Sequence, residues 1–495
     1  MRRLCVKLFY GVMFIVFSLL FIFTIFYNKS SYANLKFYET IVAFVGYCLF
    51  LFILWKFLLR RINDSKKFYI IFSIIFIILQ LLFAFIFAVR PSWDFGAVND
   101  SVFWDLDNNL KIADNVYFYR YSNNVGMFLL LKTIYFPFFL CGANHFILLG
   151  IGLLFNILFI DLGIFYLYRV LNLFFSKNQT KYFFLISLLY LPFITYVPIF
   201  YTDTYSLPFA IMSIYYLFVY LYKNNRKLNL ILCGLFLGIG CFIKFSLFIV
   251  FIAIILFLIF RNIKIPVKKF VVTLSFIAIC FSLPLLALQA YIHFTFDSEL
   301  LQKESFPKEH YLMMGLSNFG GYNLDDVEFT MNISGINNKK RKDLERMQQK
   351  IKQLWKEGTI WEFYINKAVY TWGDGTYFAP RKLSLEPINN YSVKKIILDS
   401  SENSNYLYKC ISQAQIVFVL FFISASILFY KHLNFKQKDL HLLLNIIIFG
   451  AFLFFMLWEA RSRYIVNFIP ILLIDSYLGV LAIYNYLKSK KLICK

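Results

Sequence analysis

Twelve apolar stretches of about 16–25 residues, separated by short polar loops, restrict this chain more than any other feature. An apolar helix of about 20 residues crosses the roughly 30 Å hydrocarbon core of a bilayer, where a helix satisfies its own backbone. The stretches fall at 8–27, 39–59, 68–89, 146–168, 182–200, 206–222, 228–243, 245–260, 270–292, 411–430, 440–458 and 464–487. Of the 495 residues 60% are hydrophobic, against about 45–50% in soluble chains, so too little polar surface remains for a set of water-soluble domains. The expected fold is an all-α polytopic membrane protein of about 12 transmembrane helices.

The formal net charge of +23 would suit a nucleic-acid binder if the cations formed one patch. Instead they gather in loops, as in Arg60, Arg61, Lys66 and Lys67, in Lys223, Arg226 and Lys227, and in Arg261, Lys264, Lys268 and Lys269. With the N-terminus in the cytoplasm, about 25 Lys and Arg fall on the inner side and about nine in the short outer loops. That bias predicts a multi-pass protein of the cell membrane with both termini cytoplasmic, and argues against nucleic acid as a partner. The run beginning at Leu8 is too long for a cleaved signal and reads as the first span. The eight Cys stand without metal or disulfide spacing and read as small buried hydrophobes.

Residues 125–140 are apolar, but crossing here would reverse the charge bias. This stretch is expected to lie as a helix in the outer interface, with Lys132 and Tyr135 meeting headgroups and Pro137 breaking the run; a thirteenth span is the alternative. Two outer segments then have room for chemistry. Residues 90–124 carry Asp94, Asp100, Asp105, Asp107 and Asp114 among aromatics. Residues 293–410 form a larger cap segment, with GLSNFGGYN, a basic helical stretch from Asn338 to about Trp355, and WEFYINKAVYTWGDGTYFAP. The expected organisation is an N-terminal membrane region over residues 1–292, the cap over 293–410 and a C-terminal membrane region over 411–495. In the cap, Trp372 and its aromatic neighbours are candidates for stacking on a sugar face, for an interfacial belt or for packing the cap onto the membrane part. Asp374, between two glycines, reads first as a tight turn.

No phosphate loop, dinucleotide fingerprint, HExxH or GxSxG is present, so ATP-driven, zinc-peptidase and serine-hydrolase readings lose their usual support. What remains is a carboxylate at the outer membrane boundary. Asp94 closely follows the third span, where it can take a proton from an acceptor hydroxyl as that oxygen attacks an activated sugar carbon. A lipid-phosphate leaving group needs cations at the same depth, and the candidates are Lys244, Arg461, Arg463 and Arg120. Asp203, in FYTDTYSLPF, and Glu459, beside the two arginines, are candidate acceptor or sugar contacts. Each also has a plain alternative: Asp94 and Asp203 as helix caps, Lys244 as a snorkelling side chain, Glu459 as an ion-pair anchor of a span end. Asp161 and Asp475 fall within spans and read as structural.

With those residues in place, the plan resembles the membrane-embedded GT-C glycosyltransferases, among them the protein O-mannosyltransferases and the aminoarabinose transferases. WDFGAVND resembles the start of their first outer loop, and YSNNVG stands where many carry a YPP-like turn. WEARSRYIVNFIPIL resembles their late Arg-Tyr followed by Pro at the head of a final span. The resemblance implies a sugar donor on polyprenyl phosphate, a glycan, lipid or protein acceptor, and a base from the first outer loop. By position that base maps onto Asp94, with Asp100 second. The family's adjacent acidic pair is absent here, which leaves a divalent metal requirement open; no other cofactor is implied.

The expected function is sugar transfer on the outer face during cell-envelope assembly, in a bacterial membrane as the chain's Lys, Asn, Ile and Phe richness suggests. A lipid-linked oligosaccharide flippase and a polysaccharide polymerase are the competing expectations. The flippase would place its ionisable residues in a midplane cavity between repeated halves.

Overall fold

In the computed structural model, residues 2–27, 32–59, 65–261, 266–398 and 405–492 are described, so Arg60, Arg61 and Lys264 of the basic loops lie outside the described residues. The chain runs through α1 (Arg2–Phe26), α2 (Phe37–Ile53), α3 (Lys66–Ile86), α4 (Asp94–Leu106), α5 (Val116–Arg120), α6 (Val125–Leu140), α7 (His145–Phe174) and α8 (Lys177–Leu188). It continues through α9 (Pro192–Thr195), α10 (Thr202–Tyr222), α11 (Lys227–Ile243), α12 (Phe248–Phe260), α13 (Val267–Thr295), α14 (Ser298–Glu304), α15 (Lys308–Met314) and α16 (Leu324–Met331). The remainder is α17 (Ile336–Lys356), α18 (Ile360–Ala368), α19 (Ala379–Leu383), α20 (Lys395–Leu398), α21 (Tyr406–Leu428), α22 (Phe435–Leu457) and α23 (Ile469–Ser489).

Among the described residues ten helices are long and apolar enough to cross a membrane, and α11 and α12 are shorter apolar helices. The ten are α1, α2, α3, α6 with its leading turn, α7, α10, α13, α21, α22, and α23 with the turn before it. α10 and α23 are almost wholly buried and form the centre of the bundle, while α2, α3 and α13 leave most of their apolar surface uncovered by protein. α11 and α13 approach closely because Gly234 and Gly238, one turn apart on α11, carry no Cβ. A Cβ at either would collide with the carbonyl oxygen of Ile277 or Phe281. The seventh and eighth apolar stretches are separate helices, since Lys244 between them takes an extended conformation at φ −146° and ψ 107°.

The stretch 182–200 corrects the sequence reading, because it is no continuous span. α8 stops at Leu188, Pro192 opens the single turn of α9, and irregular turns lead to α10. Broken backbone is tolerated inside an apolar bundle only where other groups replace its hydrogen bonds. Three buried amides do so here. Gln415 donates to the Leu189 carbonyl (2.8 Å) and accepts from the Leu191 N–H (3.0 Å), Gln80 donates to the Phe193 carbonyl (3.1 Å), and Asn156 donates to the carbonyls of Tyr196 (2.9 Å) and Val197 (2.8 Å). Gln415→Leu strands one donor and one acceptor, each worth about 1–3 kcal/mol when buried and unpaired. The substitution is expected to lower the melting temperature of the detergent-solubilised protein clearly, whereas Gln→Leu at exposed Gln348 leaves it unchanged.

Helices α14–α20 form a cap over one end of the bundle. Phe306, Met314 and Val327 make only a small core of its own, so the cap leans on the rest of the chain. Backbone bonds tie it down: Arg90 N–H to Glu386 (2.8 Å), Ile388 N–H to Ala88 (3.0 Å), Glu459 N–H to Tyr311 (3.1 Å) and Ala460 N–H to Gly320 (2.8 Å).

Candidate active site at the capped end

Interruptions in the helices converge beneath the cap. α4 begins at Asp94, α10 begins at Thr202, α11 ends at Ile243, and residues 458–468 lead from α22 into α23. At these points side chains leave the helical faces and can meet. The backbone is distorted at the same place. Trp93, just before α4, has φ +58° and ψ −140°, while Tyr377 and Phe378 have φ of +51° and +65°. Bulky L-residues avoid positive φ, and such strain persists only where the surroundings over-determine it.

Asp94 is half-buried at the first position of α4. Tyr117 donates its hydroxyl to Oδ1 of Asp94 (3.1 Å), Asn124 donates to that hydroxyl (2.6 Å), and Tyr201 donates to Oδ1 of Asn124 (2.9 Å). The chain of three side chains fixes the carboxylate's orientation.

Four cations gather in the same region, two on Asp203 and two over the Trp93 ring that precedes Asp94. Lys244 pairs with Asp203, and Nε of Arg463 lies 3.8 Å from the other oxygen of Asp203. Lys244 also stands over the Tyr464 ring (5.1 Å), and Tyr464 donates its hydroxyl to Glu459 at 3.0–3.1 Å. Nζ of Lys382 sits 4.0 Å from the Trp93 ring centre, and the guanidinium of Arg461 faces the same ring at 5.5 Å and Phe378 at 5.3 Å. Nε of Arg461 and Nε of Arg463 are buried without a hydrogen-bond acceptor among the described residues. Buried guanidinium donors are ordinarily paired, and they bind carboxylate or phosphate oxygens best.

Burial, reinforced by the Arg463 guanidinium, pulls the Lys382 ammonium down to about 6, against the opposing fields of Asp94 and Asp203. Burial likewise pushes the Glu459 carboxyl above its usual range, opposed by Arg461 and the Tyr464 hydroxyl. An arriving anion would therefore favour protonation of Lys382. Asp374 supports the arrangement from below. It accepts from Thr376 N–H (3.1 Å), the Thr376 hydroxyl (2.7 Å), Phe378 N–H (3.2 Å) and the Ser462 hydroxyl (2.7 Å). It thereby holds the strained turn and the residue between the two arginines.

Asp94, Asp203, Lys244, Glu459, Arg461 and Arg463 thus come together, with Asp374 as their brace. Three candidates stand elsewhere. Asp100 is exposed on α4, with Glu386 and His145 as its charged neighbours. Arg120 is taken up by Glu304 of the cap (3.2 Å). Trp372 corrects the sugar-stacking reading: its ring is buried against Phe17 (6.1 Å) and Phe452 (5.9 Å), because the turn 369–373 packs on α1. Lys382 and Tyr117 were missed, the first in a plain RKL stretch and the second as one aromatic among many. Among the described residues no three of His, Cys, Asp or Glu gather as a metal-ligand set. A cavity of about 430 Å³, lined by Phe174, Gln179, Gln437 and Asn485 among others, opens at the opposite end of the bundle, away from these residues.

A family model described as "conserved hypothetical integral membrane protein" matches residues 4–482. The chain belongs to that family. No curated protein and no solved structure matches it. Multi-pass membrane integration, and with it contact with the lipid bilayer, accords with the apolar helices. This integral membrane protein therefore carries a group of buried charges at one end of the bundle, under the cap.

Proposed function

We propose that the protein is a membrane glycosyltransferase of GT-C type, moving a sugar from a polyprenyl-phosphate carrier to an acceptor at the outer face of the membrane during envelope assembly. The observation that carries this reading is an oriented carboxylate, Asp94, in the same region as cations that include two guanidinium groups whose Nε atoms make no hydrogen bond among the described residues. Asp94 takes the acceptor's hydroxyl proton while that oxygen bonds to the anomeric carbon; the bond from that carbon to the phosphate oxygen breaks, and the phosphate leaves with the electron pair. Arg461, Arg463 and Lys382 hold the charge that develops on the phosphate. Because the donor arrives through the bilayer, no nucleotide site is required.

Deletion of the gene in its own host is expected to remove one sugar from the envelope glycans and to accumulate the corresponding lipid-phosphate sugar, both read by mass spectrometry of glycan and lipid extracts. Accumulation confined to the inner leaflet would support a flippase instead. A shortened polymer with unchanged composition would support a polymerase. Unchanged glycans and lipids would overturn the reading.

A further inference from the structure

Helix α17 has two unlike faces, and among the described residues only one is pinned by hydrogen bonds and ion pairs to other helices. Lys339 donates to the carbonyls of Lys303 (2.6 Å), Glu304 (3.2 Å) and Ser305 (3.3 Å), and Asp343 accepts from Thr330 (2.8 Å). Arg346 and Lys350 pair with Asp326 at 3.1 and 2.6 Å. These bonds pin one face to α14–α16 and fix which way the other points. The opposite face carries Leu344, Ile351 and Trp355, spaced to lie along one stripe, with Lys352 and Lys356 beside them. Trp355 is 68% exposed, and Trp361, just past the turn into α18, is 72% exposed. Two indoles held in water without a partner are costly, and in membrane proteins such residues sit at the headgroup level.

Position decides what covers them. α18 packs against α22, whose last turns leave Leu453 and Leu457 exposed as part of the uncovered apolar surface of the bundle. Trp361 stands on α18 and Trp355 at the end of α17 that packs on it, so both exposed indoles lie on the cap elements next to that surface, with exposed Lys352 and Lys356 beside them. The pattern of apolar and aromatic side chains bordered by lysines is that of a helix lying in an anionic membrane interface.

We propose that the junction of α17 and α18 docks on the leaflet beneath the cap, with Trp355 and Trp361 among the lipid glycerol groups and Lys352 and Lys356 on anionic lipid phosphates. The contact would fix the height of the cap above the bilayer, whatever reaction the protein performs.

The test uses the full-length protein in nanodiscs of phosphatidylcholine, with and without phosphatidylglycerol. Fluorescence of the wild type minus that of the Trp355→Phe/Trp361→Phe variant isolates the two indoles. This signal is expected to be quenched by lipids brominated near the glycerol and shielded from aqueous iodide. Near an anionic surface each lysine strengthens attraction severalfold, so Lys352→Glu/Lys356→Glu is expected to reduce lipid quenching severalfold in discs containing phosphatidylglycerol, with little change in phosphatidylcholine alone. Full iodide access with no lipid quenching in either disc would overturn the proposal. So would shielding by soluble polyphosphate without lipid quenching, which would assign the surface to an anionic polymer. All four substituted side chains are exposed, and equal melting temperatures confirm that the variants are folded.

Discussion

Asp94→Asn is expected to lower sugar transfer by about 10²–10⁴-fold, the usual contribution of a positioned general base. The substitution keeps the size of the side chain and an oxygen for the Tyr117 hydroxyl, so the chain Tyr201–Asn124–Tyr117 remains in place. What it removes is the ability to hold a proton. Some stability is lost as well, because a negative charge at the start of α4 interacts favourably with the helix dipole, but that term is only about 0.3–1 kcal/mol. The measurement is complementation of a deletion strain at equal membrane abundance, with the envelope sugar and its lipid-linked precursor as readouts. Asp100→Asn is expected to complement fully, since Asp100 is exposed and apart from the cations. If Asp94→Asn complements, Asp94 serves only as a helix start and the base lies elsewhere.

The helices were legible in the sequence where burial is a property of a whole run. Apolar length alone places α1, α2, α3, α7, α10, α13, α21, α22 and α23 within about six residues of their bounds, and α11 and α12 within about three. It failed at 182–200, and the physical reason lies outside that stretch. Pro192 signals a break, but what permits one inside the bundle is a set of side chains on other helices, Gln80, Asn156 and Gln415. Each reads by itself as an isolated polar residue in a span, and only their joint placement around one backbone gives them meaning.

The site was legible in a similar, partial way. Asp94, Asp203, Lys244, Glu459, Arg461 and Arg463 stand at the ends of apolar runs, so their depth follows from the spans. Arg120 stands at such a place too, yet its partner Glu304 belongs to the cap, whose fold leaves no period in the sequence. Lys382 reaches the site by the same unpredictable route, through the turn that Asp374 braces. For Trp372 the sequence leaves sugar contact, an interfacial belt and packing of the cap onto the membrane part open, and the neighbouring helix α1 decides for packing.

Lys244→Met is expected to be among the most destabilising single changes in the cluster. It leaves Asp203, 2% exposed, with Arg463 at 3.8 Å as its one remaining ion-pair partner among the described residues. Removing one member of a buried pair costs about 3–5 kcal/mol, because the desolvated charge stays behind. Lys244→Met/Asp203→Asn removes both charges but takes the acid from Arg463 as well, so it is expected to recover part of the lost melting temperature in detergent. Transfer activity then separates two roles for Lys244. Its ammonium is already engaged by Asp203 and by the Tyr464 ring, so it neutralises rather than binds, and the double variant is expected to regain some of the transfer lost in the single one. Phosphate binding then rests on Arg461, Lys382 and Arg463, the last held only loosely by Asp203 at 3.8 Å. A double variant that is stable and still inactive would instead make Lys244 a direct ligand of the donor.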